Sequence, residues 1–347
     1  MEVWVYDREM RLQGIIENHT SLIWSRKLYT AGKFEIHAPT TADNLELLRP
    51  GNIITKGDKK EAAVIRGLEN EESTILNEIT RTGYFMPIYF NDRLTGPTIN
   101  FSGTAEAALY KLAHTPQAIP RMQWAEPQGF TEKVEFQATY KNTLSHMEKI
   151  ARASGLGFRV VPDFKEKTLT FEVYRGKDRT TGQRVNSRVI FSETYNNLNC
   201  SKYTYNDELY KTKVIVGGVG EGASRIYVEV GGGSGLDLRE VFLDAKDINK
   251  DEMTQAQYLA ALQARGEEYL KTSCGITECF ESEVEAEVNF IYKQDYDLGD
   301  IVTIKKKGWN ITTDLRITEL QEVYEYGGMY VVPTFGDALP ETIKWDE

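Results

Sequence analysis

PGNIIT at residues 50–55 and LGDIVT at residues 298–303 are the two stretches on which the reading of this chain turns. Each places Gly followed by Asn or Asp directly before a β-branched run: Gly51-Asn52 before Ile53-Ile54-Thr55, and Gly299-Asp300 before Ile301-Val302-Thr303. Each run leads into a polar, Lys-containing turn. A second strand follows and enters acidic residues, VIRGLENEE at 64–72 and LRITELQEVYE at 315–325. Gly-Asn and Gly-Asp are ordinary turn chemistry, so the echo has two readings. One is coincidence. The other is two related small β-barrels in one chain. On the second reading a trimer displays six similar barrels in a ring, matching a six-fold partner with three subunits and burying barrel edges by head-to-tail contact.

Around these stretches the texture is that of strands. MEVWVYD and MRLQGIIE form a hairpin about the Asp7-Arg8-Glu9 turn, with Val3, Val5, Leu12 and Ile15 as its apolar positions. In SLIWSRKLYTAGKFEIHAP, Gly32 is the break and Phe34 and Ile36 alternate with polar neighbours. Gly327-Gly328, between two alternating runs, signals a closing hairpin. From about residue 100 helices enter. Thr104 caps a helix over Ala105–Ala113. Asn142 caps a better one, with Leu144, Met147, Ile150 and Ala151 on one face and Gly155 as its stop. LGFRVVP and KTLTFEVYRG then pair across the polar Asp163–Lys167 connection. A third helix near 252–271 carries Tyr258, Leu259, Leu262, Tyr269 and Leu270 at helical spacing.

The expected fold is therefore mainly β with α+β parts. Helix followed by hairpin gives a small α+β domain over about 100–185, and a helix near 252–271 precedes the closing strands.

Composition narrows the function classes. With 41 basic against 52 acidic residues the net charge is −11, opposite to what sequence-independent phosphate neutralisation requires. The longest basic run, Lys305–Lys306–Lys307, reads as a solvated edge or turn. An acidic wall would suit a passage through which DNA slides without sticking. The three Cys (Cys200, Cys274 and Cys279) show no C-x-x-C spacing, which argues against a disulfide scaffold or zinc site and suits a reducing cytoplasm. No apolar run reaches the roughly 20 residues of a membrane span, and the N-terminus lacks a basic start and apolar core.

The patterns that carry chemistry are missing or misplaced. Gly218-Val219-Gly220-Glu221-Gly222-Ala223 has the G-x-G-x-x-A form, but SRIYVEV after it reads as a strand. A dinucleotide site needs a helix there, so the β-turn reading is preferred. His19, His37, His114 and His146 are scattered, none at metal-ligand spacing, and His146 reads as a partly exposed surface residue near Glu148. No pair of carboxylates is singled out for glycoside hydrolysis. Catalytic, cofactor-binding and metal-binding residues are all expected to be none.

Several phrases together carry a family resemblance: Tyr29–Ile36 (YTAGKFEI) with Pro39 beyond; Gly51–Ile54; Ser154–Val160 (SGLGFRV); Phe171–Thr180 (FEVYRGKDRT); Val214–Gly218 with Gly220–Gly222; Leu298–Val302; Arg316–Glu319; and Thr334–Gly336. In this order they span nearly the whole chain. The chain resembles the siphovirus-type tail hub proteins, also called baseplate-hub or tail-associated proteins, with relatives in contractile phages, prophages and phage-tail-like bacteriocins. The resemblance implies two related β-barrels: a first formed by 1–99 together with 186–240, with the α+β domain 100–185 inserted in it, and a second within 241–347 after a helix. It also implies a non-enzymatic virion tail component, assembled in the bacterial cytoplasm. It implies a homotrimeric ring at the distal end of the tail tube, adapting a six-fold tube to a three-fold tip. The implied partners are the tube or distal tail ring, the tape-measure protein and a separate tip, spike or cell-wall hydrolase chain. DNA passes through the channel without specific binding. Larger family members carry a C-terminal extension; with the chain stopping soon after Phe335-Gly336, any hydrolase or adhesin is expected on another chain. Competing readings are a hexameric distal tail or tube protein, a cell-wall hydrolase and a carbohydrate-binding module. A peptidoglycan zymogram and a glycan array separate the last two. The polar turn Gly176–Arg179 reads as a plain β-turn, with fixing the insert's orientation as its sharper role.

Overall fold

Alternating burial along strands and a buried stripe on each longer helix organise the computed structural model, which describes residues 1–72, 77–198, 201–250, 253–282 and 289–336. The first strands are β1 (Val3–Tyr6), β2 (Leu12–Ile16), β3 (Ser21–Lys27) and β4 (Lys33–Pro39). A short helix α1 (Ala42–Leu47) leads to β5 (Ile53–Lys56), β6 (Ala62–Glu72) and β7 (Asn77–Phe85). They pair antiparallel in the order β3-β4-β7-β6-β5-β1-β2. Val3, Val5, Leu22, Trp24, Phe34, Ile36, Ile54 and Ile65 pack on one another as the core of this set.

The next elements are β8 (Ile99–Thr104), α2 (Ala105–Ala113), β9 (Met122–Trp124), β10 (Lys133–Ala138), α3 (Thr143–Ser154), β11 (Gly157–Asp163) and β12 (Thr168–Tyr174). They pair only among themselves: β8 with β10, and β12 with β11 and β9. The helix ends follow the expected chemistry. Thr104 Oγ1 accepts from the Ala107 amide at 3.2 Å and Asn142 Oδ1 from Ser145 at 2.9 Å, while Gly155 closes α3 at φ +69°. Leu109, Leu112, Leu144, Met147 and Ile150 face Phe158 and Phe171 in a shared core.

The chain continues through β13 (Ile190–Ser192), β14 (Ser201–Asn206), β15 (Lys213–Gly217), β16 (Tyr227–Gly231), β17 (Glu240–Asp244), α4 (Gln255–Thr272), β18 (Thr277–Ser282), β19 (Ile301–Lys306), β20 (Ile311–Glu325) and β21 (Gly328–Gly336). β15 lies between β16 and β17 in a small sheet of its own, and Tyr258 and Leu262 of α4 pack on Val214 and Val216. The remaining strands run β14-β18-β21-β20, with β19 beside β20 and β13 parallel to β19.

The echo between residues 50–55 and 298–303 extends well past those phrases. β14-β18-β21-β20-β19 repeats β3-β4-β7-β6-β5, antiparallel at every step. The register corresponds as well. Phe34 and Glu35 face Gly83 and Thr82, and Phe280 and Glu281 face Phe335 and Thr334. Both long strands bulge at the same place, after Ile65 in β6 and after Ile317 in β20. β20 pairs onward with β3 and joins the two sets in one sheet. That path is open, with β2 and β14 at its ends, so among the described residues neither set is closed by hydrogen bonds into a barrel.

The mainly β architecture is as expected from the sequence. Two local expectations are corrected. Leu12 and Ile15 are exposed, and Ile16 is the buried residue of β2, because its partner is Val3 and a bulge at Val5–Tyr6 resets the alternation. The short helix α1, capped by Thr41, was not anticipated. Cys200, residues 285–288 and the terminal Lys344–Glu347 lie outside the described residues.

Candidate functional site

The two Gly turns have the same backbone. Gly51 has φ +90° and Gly299 φ +95°, a region open to glycine and costly for side chains. The Gly51 amide donates to Ile65 and the Ile65 amide donates to Asn52; correspondingly Gly299 donates to Ile317 and Ile317 to Asp300, all at 2.8–2.9 Å. Gly followed by Asn or Asp thus starts each hairpin and locks it to the bulge of its second strand.

In the second copy this turn is also a joint. The polar segment after β12 bridges in parallel to the start of β19, Asp178 opposite Ile301: the Ile301 amide donates to the Lys177 carbonyl at 2.9 Å and its carbonyl accepts from Arg179 at 2.8 Å. Asp300 Oδ1 accepts from the Lys177 amide and Oδ2 from Arg179 Nε, each at 2.6 Å, with both side chains buried. Arg316 Nη1 donates to the Gly299 carbonyl at 2.8 Å and Thr303 Oγ1 accepts from the Thr181 amide at 3.0 Å. Gly176 sits so close that a Cβ on it would overlap the Gly299 carbonyl and the Asp300 nitrogen. FEVYRGKDRT and LGDIVT, far apart in sequence, are therefore one assembly, and Gly176–Arg179 is more than a plain β-turn.

A second buried assembly holds the seam between β3 and β20. Arg26 Nε pairs with Glu61 at 2.6 Å and its Nη1 with Asp297 at 2.5 Å. Glu322, with no exposed surface, accepts from Tyr324 at 2.6 Å, Tyr292 at 2.8 Å, Lys293 at 3.1 Å and the Lys56 ammonium. Burial by itself would raise the Glu322 pKa. The Lys56 and Lys293 charges, with hydrogen bonds from Lys56 and Tyr324, outweigh it and hold the carboxyl at about 2. These side chains come from β3, β5, the turn before β6, β20 and the loop before β19, so the cluster ties the two repeated sets together.

The remaining sequence candidates do not converge. Gly218–Ala223 runs into a single helical turn, Gly222–Ser224, and β16 follows, as the strand reading required. The Val219 amide is taken by the Tyr258 hydroxyl at 2.7 Å. His37 lies between Glu35 and Glu78, and His114 stacks on Trp124. His146 is half-buried, edge-on to Phe136, and burial first, then nearby Lys149, pushes its pKa down to about 4. Among the described residues no group of His, Cys, Asp and Glu is arranged to hold a metal ion, and no helix is long and apolar enough to cross a membrane.

Sequence reasoning missed the seam cluster. Its signal was present in the period-2 placement of Leu320, Glu322 and Tyr324, which puts Glu322 on the face of a buried leucine.

Comparison with known proteins agrees with this picture. The model of the siphovirus ReqiPepy6 Gp37-like proteins matches residues 2–337. Among solved structures, the tail protein from Neisseria meningitidis MC58 superposes with a TM-score of 0.61 at 14% identity, covering 96% of each chain. The 43 kDa tail protein of prophage MuSo2 from Shewanella oneidensis gives 0.60 at 12% identity, covering 96% of this chain and 98% of that one. The prophage tail protein gp18 from Listeria monocytogenes EGD-e gives 0.57 at 14% identity, covering 97% and 95%. No curated protein matches the sequence significantly. The resemblance to phage tail proteins read from the sequence is borne out.

Proposed function

Since the chain belongs to the siphovirus ReqiPepy6 Gp37-like protein family, we propose that it is a non-enzymatic structural tail hub whose three copies form a ring at the distal end of the tail tube. The observation that carries this reading is the repeat. One chain holds two strand sets with the same order, the same bulge and the same Gly turn. Three such chains present six similar units to a six-fold tube, while the parts that differ between the sets present a three-fold face to the tip. In the ring each set acts as one of six quasi-equivalent barrel-like units.

On this proposal residues 100–185 form an inserted unit whose orientation is set by the Asp300–Arg179 joint, because that joint bonds the segment leaving β12 directly to the start of β19. The central channel passes tape-measure protein and DNA, for which a net charge of −11 provides a non-adhesive wall. Partners are the tube or distal tail ring on one side and a separate tip, spike or hydrolase chain on the other. Size-exclusion chromatography with light scattering over a concentration series tests the stoichiometry. A mass of three chains is expected. A mass of six would transfer the chain to the tube or distal-tail class.

A further inference from the structure

The strongest unassigned feature is a pair of strand edges. Within the chain, β20 beyond its bulge pairs with β3, from Glu319 opposite Lys27 to Glu325 opposite Ser21. In the repeat, β6 corresponds to β20 and β14 to β3. β6 beyond its bulge, Gly67–Glu72, pairs with β7 on one side, and β5 reaches only Ala62–Val64 on the other. β14 is the terminal strand of the sheet, paired with β18 alone. Among the described residues each of these two strands therefore has one edge on which no strand lies. They are the two edges whose counterparts are joined inside the chain.

We propose that β6 of one copy pairs antiparallel with β14 of a second copy, in the register of β20 on β3. The inference rests on the ring-forming hub reading and names the contact that builds the ring. The register follows from the ladders already described. Leu320 faces Arg26 and Val323 faces Ile23 within the chain. The corresponding positions put Leu68 opposite Tyr205 of the second copy, and Glu71 opposite its Lys202.

Two independent features agree with this register. Leu68 and Tyr205 are both large side chains left about half exposed, at 56% and 55%, and opposite one another they cover each other. Glu71 and Lys202 carry opposite charges, as do Glu319 and Lys27, which form an ion pair at 3.4 Å across the intrachain ladder. A slip of one residue would put Glu71 beside Tyr203 and undo both matches. The contact is head-to-tail, using different surfaces on the two copies, and such a contact must either close into a ring or propagate. Unprotected strand edges are otherwise an aggregation liability.

The Leu28 amide donates to the Thr318 carbonyl, so the pair Lys27–Glu319 one step along is not hydrogen-bonded. By correspondence Glu71 and the second copy's Lys202 are also a non-hydrogen-bonded pair. Their Cα atoms then lie about 4.5 Å apart, within the span of a disulfide. The test is mild oxidation of full-length Glu71→Cys/Lys202→Cys, alongside each single variant and the register-slipped pair Glu71→Cys/Thr204→Cys. The single variants account for Cys200, Cys274 and Cys279. On non-reducing gels the first double variant is expected to gain dimer and closed three-chain species that the others lack. A three-chain mass by light scattering without this cross-link overturns the edge pairing and leaves the hub reading standing. A cross-link that propagates beyond three chains supports the edge pairing and overturns the trimer. Absence of both association and cross-link at every concentration overturns the inference, since the two edges need no other partner to meet.

Discussion

Replacing Glu322 by Ala is expected to destabilise the chain by about 3–5 kcal/mol, the cost of removing one partner from a buried ionic cluster. Glu322 is fully covered and neutralises Lys56 and Lys293 while accepting two tyrosine hydroxyls. Without it, the buried Lys56 ammonium loses its ion pair, and Lys293 is left with Asp58 at 3.4 Å. The check is the urea midpoint of the variant against the parent. A shift within that of a surface Glu→Ala control such as Glu166→Ala would show that the cluster does not hold the seam. The same carboxylate sets an acid limb. Its pKa is about 2 in the folded chain against a usual value of 4.5. The folded state therefore binds fewer protons, and its stabilisation is complete above about pH 4.5 and lost as pH falls towards 2. That loss is worth roughly 3 kcal/mol.

Gly176→Val is expected to be nearly as costly, about 3 kcal/mol. Overpacking normally costs less when side chains yield, but here the obstacle is the backbone of Gly299 and Asp300. Moving that backbone also moves Asp300 away from Lys177 and Arg179. Gly182→Val, where the nearest atom is Thr180 Oγ1 at 3.8 Å, is the control and should stay near the parent. Equal unfolding midpoints for the two variants would remove the joint from the account.

The elements built by local chemistry were legible in the sequence. The caps of α2 and α3 and the Gly155 stop depend on neighbours within a turn, and the Gly327-Gly328 hairpin on two adjacent residues. The Gly-Asn and Gly-Asp turns were visible because a positive φ selects glycine. What was not legible depends on distant partners. Nothing local to Ser201–Asn206 says that it pairs with Thr277–Ser282 across the whole of α4 and its small sheet. Gly176–Arg179 looked like a turn because its partner, Asp300, is more than a hundred residues away. Glu322 looked like one more acidic surface residue, since charge is read as solvated until burial is known. In β2, one bulge, with Gln13 as the extra residue opposite Val5–Tyr6, was enough to exchange Ile15 for Ile16 on the buried face.

The central claim, that a repeated unit builds a six-lobed ring from three chains, is tested most directly by electron microscopy of the purified assembly viewed down its axis. Class averages are predicted to show six similar lobes around an open channel, alternating slightly so that the true symmetry is three-fold. A ring of six identical chains, or an assembly whose averages show no ring, would contradict it.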